Sequence, residues 1–416
     1  MGISRGSVPE SISPVGILIL QCWAMPGQYR IVSARVPMVD GRQVPSELGQ
    51  HSQNVSRPGL KETGKMKKES FVLTLGVVLL SVIAGVGIVI NAQRRNSGRV
   101  GKPTQIQAGE YRLSGPYTHN NLTIFLVHGK NMFEGKTFLT LQEAMVQKKV
   151  VVYETKSVNE LAIQNLSDED IYVQSGDIVK GGQQDRMIGV DLIVPRRSGK
   201  MPIAAFCVEH GRWSGRGNER STVFSSSSDT VATKEIKLAA KRSNSQGGVW
   251  QSITVAQDKL SQNIGARVNS ELSASSLQLS VENRTVQETA ESYTKALSNI
   301  VNGSRDVIGY VFAINGKINS ADVYGSNALF KKLWPKLLKA NAIEAIAELQ
   351  KGKFEPAKPE HVKTFLFEGE KAKASEKDVS TRVGLVTGED EKNIFFETRD
   401  RAHKDAWIHR NYIKKN

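Results

Sequence analysis

The sequence predicts an α+β protein. Its first half is β-rich and forms an antiparallel sandwich or barrel-like sheet, its second half is helix-rich with one β-hairpin, and a single transmembrane helix precedes both. Three observations support this prediction: short β-rich runs between residues 109 and 210, helical periodicity after residue 230, and an uncharged apolar run at residues 71–90. A chain of 416 residues, 39% of them hydrophobic, can bury the cores of two or three folding units.

The apolar run from Phe71 to Ile90 has the length of a membrane-spanning helix. Its 20 residues, at about 1.5 Å rise per residue, cross about 30 Å of hydrocarbon. Two lysines precede the run, as basic residues precede export signals and anchors. We therefore expect translation to start at Met66. Residues 1–65 would then be a disordered or mis-annotated extension, and residues 66–92 a membrane anchor or signal segment.

The residues after this run favour an uncleaved, single-pass anchor whose partner is the lipid bilayer. Ile90 is bulky where signal cleavage needs a small residue, and the positive charges of Arg94 and Arg95 resist translocation. If the segment is cleaved instead, the globular domain is secreted or periplasmic. Because basic residues flank the run on both sides, the sequence does not decide on which side of the membrane the globular domain lies.

The β-rich runs follow one another without helices between them, which favours antiparallel pairing. They are NLTIFLVHG, KKVVVYE, ELAIQNLS, DIYVQSGDIV, MIGVDLIVP and MPIAAFCVEHG. The stretch NLSDED between two of them is typical of a hairpin turn. The Gly- and Ser-rich segment at 213–230 is expected to be a mobile loop or lid.

Three later segments have apolar residues every three or four positions, which predicts amphipathic helices. They are KEIKLAAKRS, VWQSITVAQDKLSQNIG and TVQETAESYTKALSNIVNG. After them, Asn315-Gly316 is the dipeptide that type I′ turns prefer, because both central residues need positive φ. We therefore predict a hairpin over residues 308–324, with Tyr310, Phe312 and Ile314 on one face.

A helix capped by Ser326 is expected next, kinked or restarted at Pro335. The lysines on one stripe of this helix are expected to be a solvated face rather than a phosphate clamp. They are Lys332, Lys336 and Lys339. The segment KFEPAKPEHVKTFLFEGEKAKASEKD is interpreted as a linker, followed by the hairpin TRVGLVTGEDEKNIFFETRD and the terminal strand DAWIHRNYIKK.

The stretch VQSGDIVKGGQQDR, residues 173–186, has the composition of a ligand-binding turn. Gly181 and Gly182 permit positive φ, so their backbone N–H groups can form an anion nest. Arg186 can hold a phosphate or carboxylate through two hydrogen bonds, and Asp185 can orient it or accept from a ribose hydroxyl. The alternative is a structural β-bulge turn in which Asp185 and Arg186 are solvated or paired with each other. The stretch is neither a Walker loop nor a dinucleotide motif, since no G-K-S/T and no helix follow it.

The strand end FCVEHGRW supplies a second group of candidates. Strand alternation puts Cys207 and Glu209 on the face opposite His210, which argues against a Cys–His nucleophile pair within this strand. Cys207 is expected to be a buried small apolar residue. Glu209 and Arg212 are expected either to face a ligand-binding cleft or to pair with each other. Trp213 is expected either to stack on a planar ligand or to anchor the core.

Asp322, after the predicted hairpin, is a candidate general base or hydroxyl acceptor, with a cross-strand hydrogen bond as the alternative. The catalytic candidates are therefore Asp185, Glu209 and Asp322. The expected ligand-binding residues are Lys180, Gly181, Gly182, Asp185, Arg186, Arg212 and Trp213.

Composition excludes several classes of site. The net charge of +15 is scattered without an aromatic–basic pattern, so no specific nucleic-acid binding is expected. Two cysteines are too few for a disulfide framework or a cysteine-rich zinc site, and the seven histidines lack metal-ligand spacing. No metal site is expected, and no motif identifies a cofactor.

Four stretches together closely resemble a bacterial family, the ARG and rhodanese-phosphatase-superfamily-associated protein domain, where ARG denotes ADP-ribosylglycohydrolase. They are LSGPYTHNNLTIFLVHG, IQNLSDEDIYVQSGDIVKGGQQDR, FCVEHGRW and GYVFAINGKINSADVYGSNALFKKLWPKLLKA. The resemblance covers the globular domain at 105–350 and leaves 351–416 as a linker plus C-terminal strands. By association it implies a nucleotide-derived small molecule as partner. The matching residues with suitable chemistry are Asp177, Lys180, Asp185, Arg186, Glu209, Arg212 and Asp322.

Two functions follow from these expectations. The first is a membrane-anchored domain that binds or processes a phosphorylated ribose ligand such as ADP-ribose. It requires residues 181–186, 209–213 and 322 to converge on one concavity. The alternative is a non-catalytic, membrane-tethered interaction module. It predicts that the same residues pair internally, while the loop at 214–229 and the basic surface make the contacts.

Overall fold

The computed structural model describes residues 102–104 and 111–415, without the side chains of residues 102–104 and 228–230. The proposed extension and the apolar run at 71–90 lie outside these residues. The described strands are β1 (Lys102–Thr104), β2 (Arg112–His119), β3 (Leu122–His128), β4 (Leu139–Thr140), β5 (Val150–Ser157), β6 (Glu160–Asn165), β7 (Ile171–Val173), β8 (Asp177–Gly181), β9 (Arg186–Ile188), β10 (Leu192–Val194), β11 (Met201–Cys207), β12 (Phe224–Val231), β13 (Val307–Ile314), β14 (Lys317–Tyr324), β15 (Ala374–Asp378), β16 (Val383–Glu389), β17 (Asn393–Asp400) and β18 (Ala406–Lys414).

Helices occupy mainly the middle of the chain, which confirms a mixed α+β class. The described helices are α1 (Leu141–Val146), α2 (Lys234–Lys241), α3 (Gln246–Ile264), α4 (Leu277–Val281), α5 (Arg284–Leu297), α6 (Asn327–Ala347) and α7 (Pro359–Lys371). The three amphipathic segments predicted after residue 230 correspond to α2, α3 and α5. Ser245 and Asn283 accept hydrogen bonds from backbone N–H groups in the first turns of α3 and α5, which caps these helices.

The largest sheet joins strands from both ends of the chain. Its order is β1-β15-β16-β17-β18-β14-β13-β3-β2, and its neighbouring strands are antiparallel. A six-stranded sheet, β12-β8-β9-β11-β6-β5, and a three-stranded sheet, β10-β7-β4, complete the β-structure of the described residues. The prediction of a β-rich half followed by a helix-rich half was therefore too simple, because the C-terminal strands complete the largest sheet.

Both faces of the nine-stranded sheet are covered. Leu126, Tyr310 and Phe312 belong to a core shared with α6 and the smaller sheets. On the opposite face, Phe125 and Val311 pack in a second core with apolar residues of α7. Side chains of alternating direction along β3 and β13 thus serve two separate cores, which is why these strands are apolar throughout.

The hairpin at Asn315-Gly316 is confirmed. Ile314 pairs with Lys317, and the two turn residues have φ of 52° and 75°, the positive values of a type I′ turn. Glycine is needed at the second position for a further reason: a Cβ there would lie 2.3 Å from the carbonyl oxygen of Glu355.

The linker interpretation after residue 350 was wrong, because this segment contains α7 and β15. Pro359 occupies the start of α7, where its missing N–H costs nothing. Val362, Phe365 and Leu366 are spaced to form one apolar face, which packs on the nine-stranded sheet.

The NLSDED stretch is a turn but not a hairpin turn, since β6 and β7 lie in different sheets. Asn165 stabilises the connection between the two sheets, because its amide donates to the carbonyl oxygens of Glu169 and Val194, at 2.7 and 3.1 Å. The segment at 213–230 is likewise not simply a loop, because it contains most of β12.

Helix α6 begins after Ser326, whose side chain accepts from the N–H of Leu329, and it continues through Pro335 without interruption. It packs against β12, β13, α3 and α5, so it is buried on several sides. The predicted solvated lysine face was wrong at Lys336, which is buried and lies 2.5 Å from a carboxylate oxygen of Asp177.

Candidate functional site

The predicted binding turn connects β8 to β9 in an antiparallel hairpin, with Val179 opposite Arg186. Gly181 and Gly182 have φ of 112° and 57°, so both positive-φ expectations are confirmed. A Cβ on Gly182 would lie 2.2 Å from the ring of Phe224. The second glycine is thus required by packing against β12.

Asp185 and Glu209 meet at this turn, and both are completely buried. Asp185 accepts from the N–H of Gly181 at 2.9 Å and lies 3.0 Å from a guanidinium nitrogen of Arg216. Glu209 lies 2.6 Å from Arg212 and accepts from the N–H of Asp185 at 3.0 Å. The predicted neighbours are therefore brought together, and Glu209 and Arg212 pair as the structural alternative predicted.

Burial and charge act differently on these two carboxyls. Burial, helped by the charge of Glu209, raises the pKa of Asp185. Burial also acts to raise the pKa of Glu209, but hydrogen bonds from Arg212 and from the N–H of Asp185 outweigh it and lower that pKa. Arg216, which the sequence reasoning missed inside its expected mobile loop, contacts both carboxylates, as Arg212 does.

Arg186 is completely buried rather than directed at a ligand. Its guanidinium lies 3.3 Å from the carboxylate of Glu154 and donates a hydrogen bond to the sulfur of Cys207. It also lies 5.4 Å from the ring centre of Trp213, which is 48% exposed. Burial raises the pKa of the Cys207 thiol to about 11, which opposes nucleophilic use of this residue.

Lys180 pairs with Glu282 at 2.7 Å. The charged residues of the predicted turn are thus satisfied by carboxylates and guanidinium groups of the same chain. Internal pairing is what the interaction-module alternative predicted, although Asp185 pairs with Arg216 and Arg186 pairs with Glu154, rather than Asp185 with Arg186.

Asp322 lies in a different cluster, on the face of the nine-stranded sheet that contacts α6. Its carboxylate is 3.0 Å from Nε2 of His409 and accepts from the hydroxyl of Tyr310 at 3.2 Å. Nδ1 of His409 lies 2.8 Å from Asp191, and the imidazole stacks on Tyr324 with ring centres 4.6 Å apart. The expected cross-strand hydrogen bond is therefore present, within an Asp191–His409–Asp322 triad that is buried.

The triad is a fixed charge arrangement. Burial acts to lower the pKa of His409, but Asp191 and Asp322 outweigh it and raise that pKa. Burial acts to raise the pKa of Asp322, but Lys237 and His409 outweigh it and lower that pKa to about 2. An imidazolium that donates from both nitrogens has no lone pair left to accept a proton, so this histidine is not poised as a general base.

A third feature, which the sequence reasoning did not predict, is a groove of about 800 Å³ beside the Asn315-Gly316 turn. Ile318, Ala357 and Phe365 supply its apolar part, and Glu368 is its one carboxylate. We call it the lysine groove, after Lys234, Lys317, Lys392, Lys414 and Lys415.

Two lysines of the groove are exposed and have no carboxylate within 4.0 Å among the described residues, namely Lys317 and Lys392. Their side chains are therefore available to an anion from solvent. The signal in the sequence was weak, because the lysines come from four separate segments of the chain that only the folded sheet brings together.

Within the part of the chain described by the structure, no helix has the length and apolar character needed to cross a membrane. No curated protein and no solved structure matches the chain. The family model of ARPP-1, described as ARG and Rhodanese-Phosphatase-superfamily-associated Protein domain, matches residues 110–413. This match extends past residue 350, where the expected family domain ended, and includes α7 and the C-terminal strands. Since it spans more than half of the 416 residues, the chain belongs to the ARPP-1 domain family.

Proposed function

We propose that this protein is a membrane-anchored domain that binds a phosphate-bearing, nucleotide-derived ligand in the lysine groove. The observation that supports the proposal is the lining of the groove, in which five lysines and one glutamate surround a volume of about 800 Å³. Lys234 and Lys415 pair with Glu235 and Glu389, so the excess positive charge comes from the other three lysines. Pockets of about 300–1,000 Å³ with apolar walls and a few polar groups are the usual size for small-molecule ligands. Lysine binds phosphate as a mobile point charge.

The groove offers both kinds of contact that a nucleotide needs. Lys317 and Lys392 are exposed cations in its lining, while the half-buried Ile318 supplies apolar surface beside the buried Phe365. The ammonium group of Lys414 lies 5.8 Å from the ring centre of Phe365, so charge and apolar surface are adjacent. A ligand such as ADP-ribose carries phosphates, a planar base and sugars, and the family description refers to ADP-ribosylglycohydrolase. These properties support a ligand of this class.

The second candidate function is a non-catalytic, membrane-tethered interaction module. The internal pairing of Glu154 with Arg186 and of Glu209 with Arg212 favours it, because paired and buried charges are not available to a substrate. Of the residues expected from sequence to bind ligand, Trp213 keeps substantial exposure. We place the ligand in the lysine groove for this reason, and we assign no reaction to Asp185, Glu209 or Asp322.

The binding proposal is tested with the full chain in detergent micelles by titration calorimetry with ADP-ribose. Lys317→Ala and Lys392→Ala are each expected to raise the dissociation constant about fivefold, corresponding to about 1 kcal/mol. Lys295→Ala is the matched control, since Lys295 is exposed on α5 and pairs with Glu291. Binding should also weaken with added salt. Absence of binding, or binding that both groove variants leave intact, would favour the interaction module.

The anchor is tested separately. An arginine inserted at Gly85 should raise the cost of membrane insertion by about 2.5–3.5 kcal/mol and move the protein into the soluble fraction. Recovery of the unmodified, uncleaved chain from the soluble fraction would refute the anchor. An N-terminal peptide that begins before Met66 would refute the proposed start.

A further inference from the structure

A smaller recess adjoins the lysine groove and shares Lys234, Lys317 and Ile318 with it. Its volume is about 290 Å³, which holds roughly ten water molecules at about 30 Å³ each. This is room for one sugar ring. Because the two cavities share lining residues, one ligand can extend from the groove into the recess.

Glu344 of α6 and Asn319 of β14 are two of the polar residues that line the recess. The amide nitrogen of Asn319 donates to a carboxylate oxygen of Glu344 at 2.9 Å. Asn319 and Glu344 are each only 8% exposed. The amide oxygen of Asn319 is buried and has no hydrogen-bond partner among the described residues. A buried acceptor without a donor is costly, which indicates that a donor from a ligand or from solvent belongs here.

The charges around the recess are balanced, unlike those of the groove. Lys259 pairs with Glu348 at 2.6 Å, and Lys234 lies 3.5 Å from Glu235. A second phosphate would therefore find less excess positive charge here than in the groove, and a cationic ligand would meet lysines. A neutral group that donates hydrogen bonds suits the recess best, and sugar hydroxyls are such groups.

We propose that the recess is a sugar-hydroxyl subsite, in which Asn319 Oδ1 and the Glu344 carboxyl accept hydrogen bonds from hydroxyls of a ligand whose phosphate lies in the lysine groove. This inference rests on the proposed function for the phosphate end and extends it by assigning the sugar end. Burial raises the pKa of Glu344, in keeping with a carboxyl held in a poorly hydrated site. The lysines of the groove thus bind the phosphate, and the recess binds the sugar hydroxyls of the same ligand.

The experiment compares ribose 5-phosphate, inorganic phosphate and free ribose as probes of the full chain by titration calorimetry. The wild-type protein should bind ribose 5-phosphate about tenfold more tightly than phosphate, since each tenfold corresponds to one or two hydrogen bonds. Glu344→Gln should remove this preference and leave phosphate binding unchanged, whereas Lys392→Ala should weaken both phosphate probes. Glu360→Gln, an exposed position on α7, is the control for loss of one carboxylate.

The two proposals fail in different ways. Failure of the wild type to bind either phosphate probe, together with Glu344-dependent binding of ribose at millimolar concentration, would refute the phosphate groove and support the subsite. Equal affinity for phosphate and ribose 5-phosphate, or a preference that survives Glu344→Gln, would overturn the subsite. If Glu344→Gln lowers the midpoint of thermal unfolding, Asn319→Ser gives the same test by shortening the other acceptor. Absence of Glu344- or Asn319-dependent binding of any ribose probe also overturns the subsite.

Discussion

The Nε2 atom of His409 lies 3.0 Å from a carboxylate oxygen of Asp322, on the neighbouring strand of the nine-stranded sheet. Its Nδ1 atom is 2.8 Å from Asp191, so one imidazolium stands between two buried carboxylates. Lys237 also interacts favourably with Asp322. The triad therefore joins Asp191, the residue before β10, to β14 and β18 through charge as well as through packing.

His409→Gln should destabilise the fold by about 3–5 kcal/mol, because it removes the cation and leaves two carboxylates buried without it. The measurement is the free energy of unfolding from urea titration. His361→Gln is the control, since His361 is exposed on α7. A loss for His409→Gln no larger than that of the control would show that the triad contributes little.

The same residue predicts a pH dependence of stability. The folded-state pKa of His409 is raised above 6.5, so its protonated form stabilises the fold below about pH 6.5. This contribution is lost as the pH rises through the folded-state pKa. For Asp322 the sign is opposite: a pKa lowered from 3.8 to about 2 gives stability that is present above 3.8 and lost as the pH falls towards 2.

The measurement is the difference in unfolding free energy between the wild type and His409→Gln, taken from about pH 6 to about pH 9. We expect this difference to shrink as the pH rises. A difference that stays constant over the range would contradict the protonated state assigned to His409.

Gly316→Val should destabilise the hairpin between β13 and β14 by about 1–3 kcal/mol, since a β-branched residue resists positive φ. Its Cβ would also lie 2.3 Å from the carbonyl oxygen of Glu355. Gly199→Val is the matched control, because a Cβ there meets nothing within 4 Å. Thermal unfolding of both variants checks the prediction, and equal midpoints would contradict it.

Local patterns explain why this hairpin was predictable. The positive φ of Asn315 and Gly316 depends on two adjacent residues, and the amphipathic faces of α3 and α5 depend on spacing of three or four. The family match likewise agrees with the resemblance found in the sequence. Features of this kind depend on residues that are neighbours along the chain.

The candidate sites were harder to predict, because their partners are distant in sequence. Lys336 belongs to a stripe that resembles a solvated helix face, yet its carboxylate partner, Asp177, is 159 positions away. His409 was not chosen as a candidate site residue, because its partners Asp191 and Asp322 are far from it in the sequence and the terminal strand carries no sign of them. The lysine groove was not predicted for the same reason, because Lys317 and Lys392 come together only when the C-terminal strands join the sheet.

Arg186→Ala should destabilise the fold by about 3–5 kcal/mol, because it leaves the buried carboxylate of Glu154 without its cation. Replacing both residues, Arg186→Met with Glu154→Leu, should recover part of the loss by removing both buried charges. Arg197→Ala is the control, since Arg197 and Asp168 form an exposed pair, and it should leave the unfolding midpoint unchanged. Urea titration and calorimetry with ADP-ribose on the same proteins separate the two interpretations of the turn. If Arg186→Ala keeps its stability and loses ADP-ribose binding, the turn at 181–186 is the ligand site that its glycines and charges first indicated.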